Sequence, residues 1–277
     1  MLRSMLVGLD ESEWSESAAS LAVEWAIRFD AHLVGLAVVD EPSIVRPEAV
    51  PRGAAYYKMR RDRLLLVDAT KRVTATLEKF QQRCATAGIS AEVVKAVGDS
   101  GECIVREAHR CDLVVLGSES HFHFETQDKP DETLGHVVSR SPRPAVVVPR
   151  EAAGGTGIMV AYGSGREVAR ALQTVQLLGL AFGETIHLVN IRPTGRKADG
   201  LAELAAEYLK SQGTAHQLHV LESDLDPAQA LLQQVEILQP RFLVMGAPGY
   251  HPLRDLFATS VTRAVLRACP VPVLIGA

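Results

Sequence analysis

Ser4-Met5-Leu6-Val7-Gly8-Leu9-Asp10, close to the start of the chain, and Gly157-Ile158-Met159-Val160-Ala161-Tyr162-Gly163, past its midpoint, are two versions of one short apolar run. Each is answered further on by an apolar run closing on glycine, Asp112-Leu113-Val114-Val115-Leu116-Gly117 and Phe242-Leu243-Val244-Met245-Gly246. A helical stretch, a Pro-x-Pro and a last apolar run then complete each copy. A repeat of that length means two copies of one unit and not one large domain. The 277 residues fit two such units, each long enough to bury its own core.

In the first copy, short β-branched runs alternate with longer stretches of helical period, the pattern of βαβ units and a parallel sheet covered on both faces. Strands are expected near 4–9, 32–39, 90–96, 112–117 and 144–149. Between the first two, Ala18, Leu21, Ala22, Trp25 and Ala26 recur three or four apart and form one sheet-facing stripe, with Trp14 and Trp25 read as packing. The connection from Glu41 to Gly88 opens with Pro42, Pro47 and Pro51, a surface loop, and continues as a long helix from Tyr56 to Ala87. The second copy predicts strands near 157–162, 185–191, 215–221, 241–246 and 271–276. The fold class is therefore α/β, two tandem doubly wound domains over residues 1–150 and 156–277, each with a five-stranded parallel sheet. Glu151-Ala152-Ala153-Gly154-Gly155-Thr156 is the short link between them.

Composition narrows the class of partner. A net charge of -4 gives no overall basic field, which argues against nucleic acid or a membrane as the main partner. Cys84, Cys103, Cys111 and Cys269 are scattered without C-x-x-C spacing, as expected of buried thiols in a reducing cytoplasm. The opening residues run directly into a strand, and no stretch of some twenty apolar residues occurs, so neither secretion nor membrane spanning is expected.

In an open parallel sheet, ligands sit beyond the carboxyl ends of the strands where strand order reverses, so the loops after strands one and four carry the site. In the second copy, Gly246-Ala247-Pro248-Gly249 leaves strand four, nine residues follow, and Thr259-Ser260-Val261 opens a helix. Glycines admit an anion close to the backbone, and hydroxyls with free amides at a helix start donate to it along the helix dipole. That arrangement suits phosphate.

These residues resemble the universal stress proteins in their tandem form, and the resemblance covers nearly the whole chain. It implies the fold of that family, related to the adenine nucleotide alpha hydrolases, and a stress-response role. Nucleotide-binding members carry G-x-x-G, nine residues, then G-S or G-T, with an aspartate after strand one and a backbone contact to adenine after strand two. Carried over, the resemblance implies that Gly246, Gly249, Ser260 and Val261 form the phosphate loop, with Thr259 replacing its third glycine. Ala161 and Gly163 fall at the strand-one positions and Asn190 near the adenine. The implied ligand is ATP or a related adenine nucleotide, with no metal beyond accompanying Mg. Gly163 stands where the family has aspartate, and one hydrogen bond to a charged group is worth roughly 1.5 to 3 kcal/mol, about ten- to a hundredfold in affinity. The resemblance also implies that the closing strands join the two halves, and that two chains pair as a homodimer.

The first copy shows the opposite loss. It keeps Asp10-Glu11-Ser12 and Val38, but the segment after Gly117 carries Glu119, His121, Phe122, His123, Phe124, Glu125, Asp131 and Glu132. Aligning Pro142-Arg143-Pro144 with Pro270-Val271-Pro272 sets Asp131 and Glu132 against Thr259 and Ser260. A carboxylate about 5 Å from a phosphate charge costs roughly 3 kcal/mol at an effective dielectric near 20, which helix-dipole attraction of about 1 kcal/mol does not offset. No triphosphate is expected there. An alternative pairing through Gly135-His136 restores a glycine but shortens the next helix by about a turn. His121, His123, Glu119 and Glu125 have a metal-site composition, yet a solvated loop whose phenylalanines cover the vacant pocket accounts for them more simply. His216 and His219 read as strand residues, and His251 lies in the phosphate loop. Neither a nucleophile elbow nor a Walker lysine occurs, so the sequence gives little support to catalysis beyond slow ATP hydrolysis. Three readings stand: a regulatory nucleotide-binding protein, a scaffold whose pockets are both vestigial and, with least support, an enzyme acting on a nucleotide or a metal-assisted hydrolase.

Overall fold

The computed structural model describes residues 1–47, 49, 51, 53–122, 131–163, 165–197, 199–247 and 261–276. The chain divides into two compact units, residues 3–140 and residues 1–2 with 141–277.

The first unit holds β1 (Ser4–Gly8), β2 (His32–Val39), β3 (Ala91–Val97) and β4 (Leu113–Gly117) in the order β3-β2-β1-β4, all parallel. Leu6 of β1 pairs with Val34 on one side and Val114 on the other, so β1 is central, and its Met5, Leu6 and Val7 are fully buried. Apolar residues run continuously along β1, β2 and β4 because helices cover both faces of the sheet there, while β3 carries Glu92 and Lys95. Helix α1 (Glu13–Phe29) lays Ala18, Ala22, Trp25 and Ala26 on it, the stripe read from spacing, with Leu21 half-buried at its margin. Ser12 caps α1 by accepting from the Ser15 N–H at 3.1 Å, and the helix stops at Asp30 in the left-handed region.

The proline-rich connection holds a helical turn that its composition concealed, α2 (Glu41–Ile44), with Pro42 in its first turn and the Asp40 carboxylate accepting from the Ser43 N–H. The long helix α3 (Ala55–Thr86) follows, then α4 (Ser100–Ala108) and α5 (Thr133–Arg140).

The second unit contains β5 (Ala145–Val148), β6 (Ile158–Ala161), β7 (Ile186–Arg192), β8 (His216–Glu222), β9 (Phe242–Gly246) and β10 (Val273–Gly276), in the order β5-β10-β9-β6-β7-β8. The run from β10 to β8 is parallel and repeats the strand order of the first unit. β5 runs antiparallel to β10, Val147 against Val273, so the two closing strands meet as the resemblance implies. Helices α6 (Arg166–Leu178), α7 (Leu201–Ser211), α8 (Pro227–Leu238) and α9 (Val261–Ala268) complete the unit. The link is tied down by Ala153 N–H to the Pro270 carbonyl and Thr156 N–H to the Gln239 carbonyl. Among the described residues, no helix is long and apolar enough to cross a membrane.

Candidate functional site

In each unit the strand order reverses beside the first strand of the copy, between β1 and β4 and between β6 and β9, and the crevice rule directs attention to the loops leaving those strands.

In the first unit that crevice is filled from within. Asp10 is buried, and its Oδ1 accepts from the Ser12 N–H at 2.8 Å and the Ser12 hydroxyl at 2.5 Å. Its Oδ2 accepts from the His121 N–H at 2.7 Å, while its own N–H donates to Ser15 Oγ at 3.0 Å. Burial raises the Asp10 carboxyl above its ordinary value, and the bonds from Ser12 and His121 pull against that rise. The Phe122 ring is almost wholly buried and reaches close beneath Gly8 at the end of β1, and the His121 ring stacks on Trp14 with centroids 5.7 Å apart. The expectation that a phenylalanine covers this pocket therefore holds for Phe122, while Phe124 lies outside the described residues.

Asp131 completes the closure. Its two oxygens accept from the Phe122 N–H at 2.7 Å and the Thr133 N–H at 2.8 Å, so a carboxylate sits at the N-terminus of α5 where an anion would bind. Helix α5 ends at Arg140 and α9 at Ala268, which the alignment through the closing prolines sets opposite one another. Among the described residues, no three His, Cys, Asp or Glu side chains converge to hold a metal ion; His123 and Glu125 lie outside them.

In the second unit the frame recurs, and residues 248–260, the counterpart of that filling segment, lie outside the described residues. Beyond β6 the Tyr162 N–H donates to the Val189 carbonyl at 2.8 Å, as the Leu9 N–H does to Leu36. Gly163 is thereby fixed at the position of Asp10. It is exposed, and a side chain there would meet nothing within 4 Å among the described residues. Asn190 is half-buried and donates from Nδ2 to the Tyr162 carbonyl at 2.8 Å, binding the end of β7 to the loop after β6. By register Asn190 matches Ala37, and Ile191 matches Val38. Both Asn190 and Ile191 stand within β7. Spacing could not fix that register.

Gly246 ends β9 beneath the first turn of α6. A Cβ on it would stand 2.6 Å from the Val168 nitrogen and 2.9 Å from the Glu167 carbonyl carbon, so close packing is its visible role. Helix α6 opens on Gly165 without a side-chain cap, and the Glu167 carboxylate folds onto its own N–H beside Arg166, which lowers its pKa. Ala161 is half-buried at the end of β6, and Val261 is half-buried at the first position of α9. Gly249, Thr259, Ser260 and His251 lie outside the described residues.

Sequence reasoning passed over two side chains. Tyr162 is buried, its phenol raised in pKa by that burial and then by the charge of Asp199. Its one signal was an aromatic set between Ala161 and Gly163 at a strand end. Asp131 was read only as a repulsive charge, and its use of the Phe122 and Thr133 amides needed the folded loop to be seen.

Comparisons with known proteins agree with this frame. The family model described as the universal stress protein family matches residues 1–149 and again 156–275. A universal stress protein of Synechocystis is 25% identical over 207 residues, covering 74% of this chain and 70% of that protein. The crystal structure of a universal stress protein from Archaeoglobus fulgidus superimposes with a TM-score of 0.74 at 19% identity, covering 99% of this chain and 95% of that one. A Pseudomonas aeruginosa structure assigned to the same family covers 99% and 92% with a TM-score of 0.56 at 17% identity. Two successive matches spanning nearly all of the sequence, on two copies of one strand order, make this chain a member of the universal stress protein family in its tandem, two-domain form.

Proposed function

We propose that this protein is a stress-response regulator that binds ATP or a related adenine nucleotide in its C-terminal repeat, and that occupancy alters its contacts with partners. The observation that carries the reading is the contrast between the crevices. Asp10, Phe122 and Asp131 consume the space and the amides of the first, whereas the second has an exposed Gly163 at the position of Asp10. In this reading Ala161, Gly163 and the backbone at Asn190 and Ile191 face the nucleoside. Gly246, Gly249, Thr259, Ser260 and Val261 shape the phosphate loop, and Mg accompanies the phosphates. The four cysteines are free and buried, which suits a reducing cytoplasm. Self-association as a homodimer belongs to the same reading and rests on the resemblance.

Titration calorimetry of the full chain with ATP tests it. The wild-type chain binds one equivalent, and Gly163→Asp, entering open space, tightens binding by about tenfold through a restored carboxylate contact. Ser260→Glu, which gives the second copy the acidic character of the first, weakens binding by at least about tenfold. No heat and no thermal shift at millimolar ATP, with no gain in Gly163→Asp, would discard the nucleotide reading and leave the scaffold. That second reading draws on Gly163 itself and on Glu167, whose carboxylate already stands at the start of α6.

A further inference from the structure

Helix α3 has two characters. Asp62, Ala69, Val73, Leu77, Phe80 and Cys84 form its buried stripe, inward at three- and four-residue spacing. Over its first turns the opposite side is exposed and apolar: Tyr56 is 67% accessible, Tyr57 71% and Leu64 62%. Val67 continues the same side. Cations alternate with them. From residue 55 to residue 72 six lysines and arginines face two aspartates, a local charge of +4 in a chain whose net charge is -4. Lys58 and Arg61 pair with Asp62, and Arg72 with Asp68. Arg60, Arg63 and Lys71 form no ion pair among the described residues.

The arrangement selects its occupant. Pairing with a second copy through this face would set Arg60, Arg63 and Lys71 against the same cations, with only Asp68 to answer them. The depression on the face is lined by Arg63, Leu66, Val67, Thr70 and Lys71, all from α3 itself, so among the described residues the surface is a ridge with no second element walling a socket. Protein partners anchor their strongest contacts in well-packed pockets, whereas a lipid surface needs only a tangent ridge with apolar tips and cations. Tyrosine suits the headgroup layer, and arginine and lysine extend their charges to lipid phosphates along apolar stems.

We propose that the exposed face of α3 between Tyr56 and Lys71 docks the protein reversibly on an anionic bilayer. The whole-chain charge, averaged over both units, hides this face. Binding is independent of the nucleotide site, since none of its residues belongs to either crevice.

Co-sedimentation of the full chain with vesicles tests the proposal. The protein sediments with phosphatidylcholine vesicles containing about a third phosphatidylglycerol and stays in solution with phosphatidylcholine alone, and added salt releases it. The triple variant Arg60→Gln, Arg63→Gln, Lys71→Gln weakens binding by about a hundredfold. Tyr57→Ser with Leu64→Ser weakens it at unchanged charge. All five positions are exposed, so unchanged melting temperatures confirm folded variants. Failure to sediment with the anionic vesicles, or undiminished binding by the triple variant, overturns the proposal. So does a sedimentation-velocity experiment in which the same substitutions split a dimer while vesicle binding is absent.

Discussion

After β1 the Leu9 N–H is bonded to Leu36, and after β6 the Tyr162 N–H is bonded to Val189 at the same 2.8 Å; one residue later the first unit has the buried Asp10 and the second an open Gly163. Strand register sets where a crevice must form, and loop side chains decide whether anything can enter it. Loops can therefore diverge while the sheet does not. The largest expected effect breaks the filling itself. Phe122→Ala removes an almost fully buried ring beneath Gly8 and Leu116, at a cost of roughly 3 to 5 kcal/mol in urea unfolding. It creates no ATP site, because Asp131 still occupies the amides at the start of α5. A loss under about 1 kcal/mol would mean that the ring does not fill the crevice.

The frame is tested by treating the two units alike. Gly117 ends β4 with a would-be Cβ 2.6 Å from Trp14 Cβ and 2.9 Å from the Trp14 carbonyl carbon, and Gly246 ends β9 equally close to the backbone of Glu167 and Val168. Adding a methyl at either glycine must displace the first turn of a helix. Gly117→Ala and Gly246→Ala should each cost roughly 1 to 3 kcal/mol, whether or not a nucleotide is present. If Gly246→Ala left stability intact while abolishing ATP binding, the parallel would fail and this glycine would be a ligand contact alone.

Much of this frame was legible in the sequence because the central parallel strands are continuous apolar runs, and all ten expected strands lie within two residues of those found. The α2 turn was hidden because Pro42 signals a loop by composition yet is also compatible with a first helical turn. The site was less legible for a geometric reason. Motif spacing located Gly163 and Gly246, but whether Asn190 or Ile191 matches Val38 of the first copy depends on pairing register, which only the hydrogen bonds fix. Phe122 and Asp131 gave composition without direction: that one ring turns inward while a carboxylate turns to the helix start depends on the path of the whole loop.

The smallest expected effect sharpens the comparison at the helix starts. Ser12 caps α1, so Ser12→Ala should cost about 1 kcal/mol. Gly165 has φ -80° and ψ 143°, an extended conformation open to any residue, but offers α6 no side-chain acceptor. Gly165→Ser supplies one and reduces the freedom of the unfolded chain, and should stabilise by a few tenths of a kcal/mol. The gain stays small because the Glu167 carboxylate already takes an amide of that turn and lies 3.0 Å from the added Cβ, where it must swing aside. ATP affinity should remain within about twofold, because in this family pattern the phosphates belong to the start of α9 and not of α6. A stability gain joined to a tenfold loss of ATP affinity would instead put the uncapped amides of α6 in contact with the ligand, and the two helix starts would differ by function as well as by sequence.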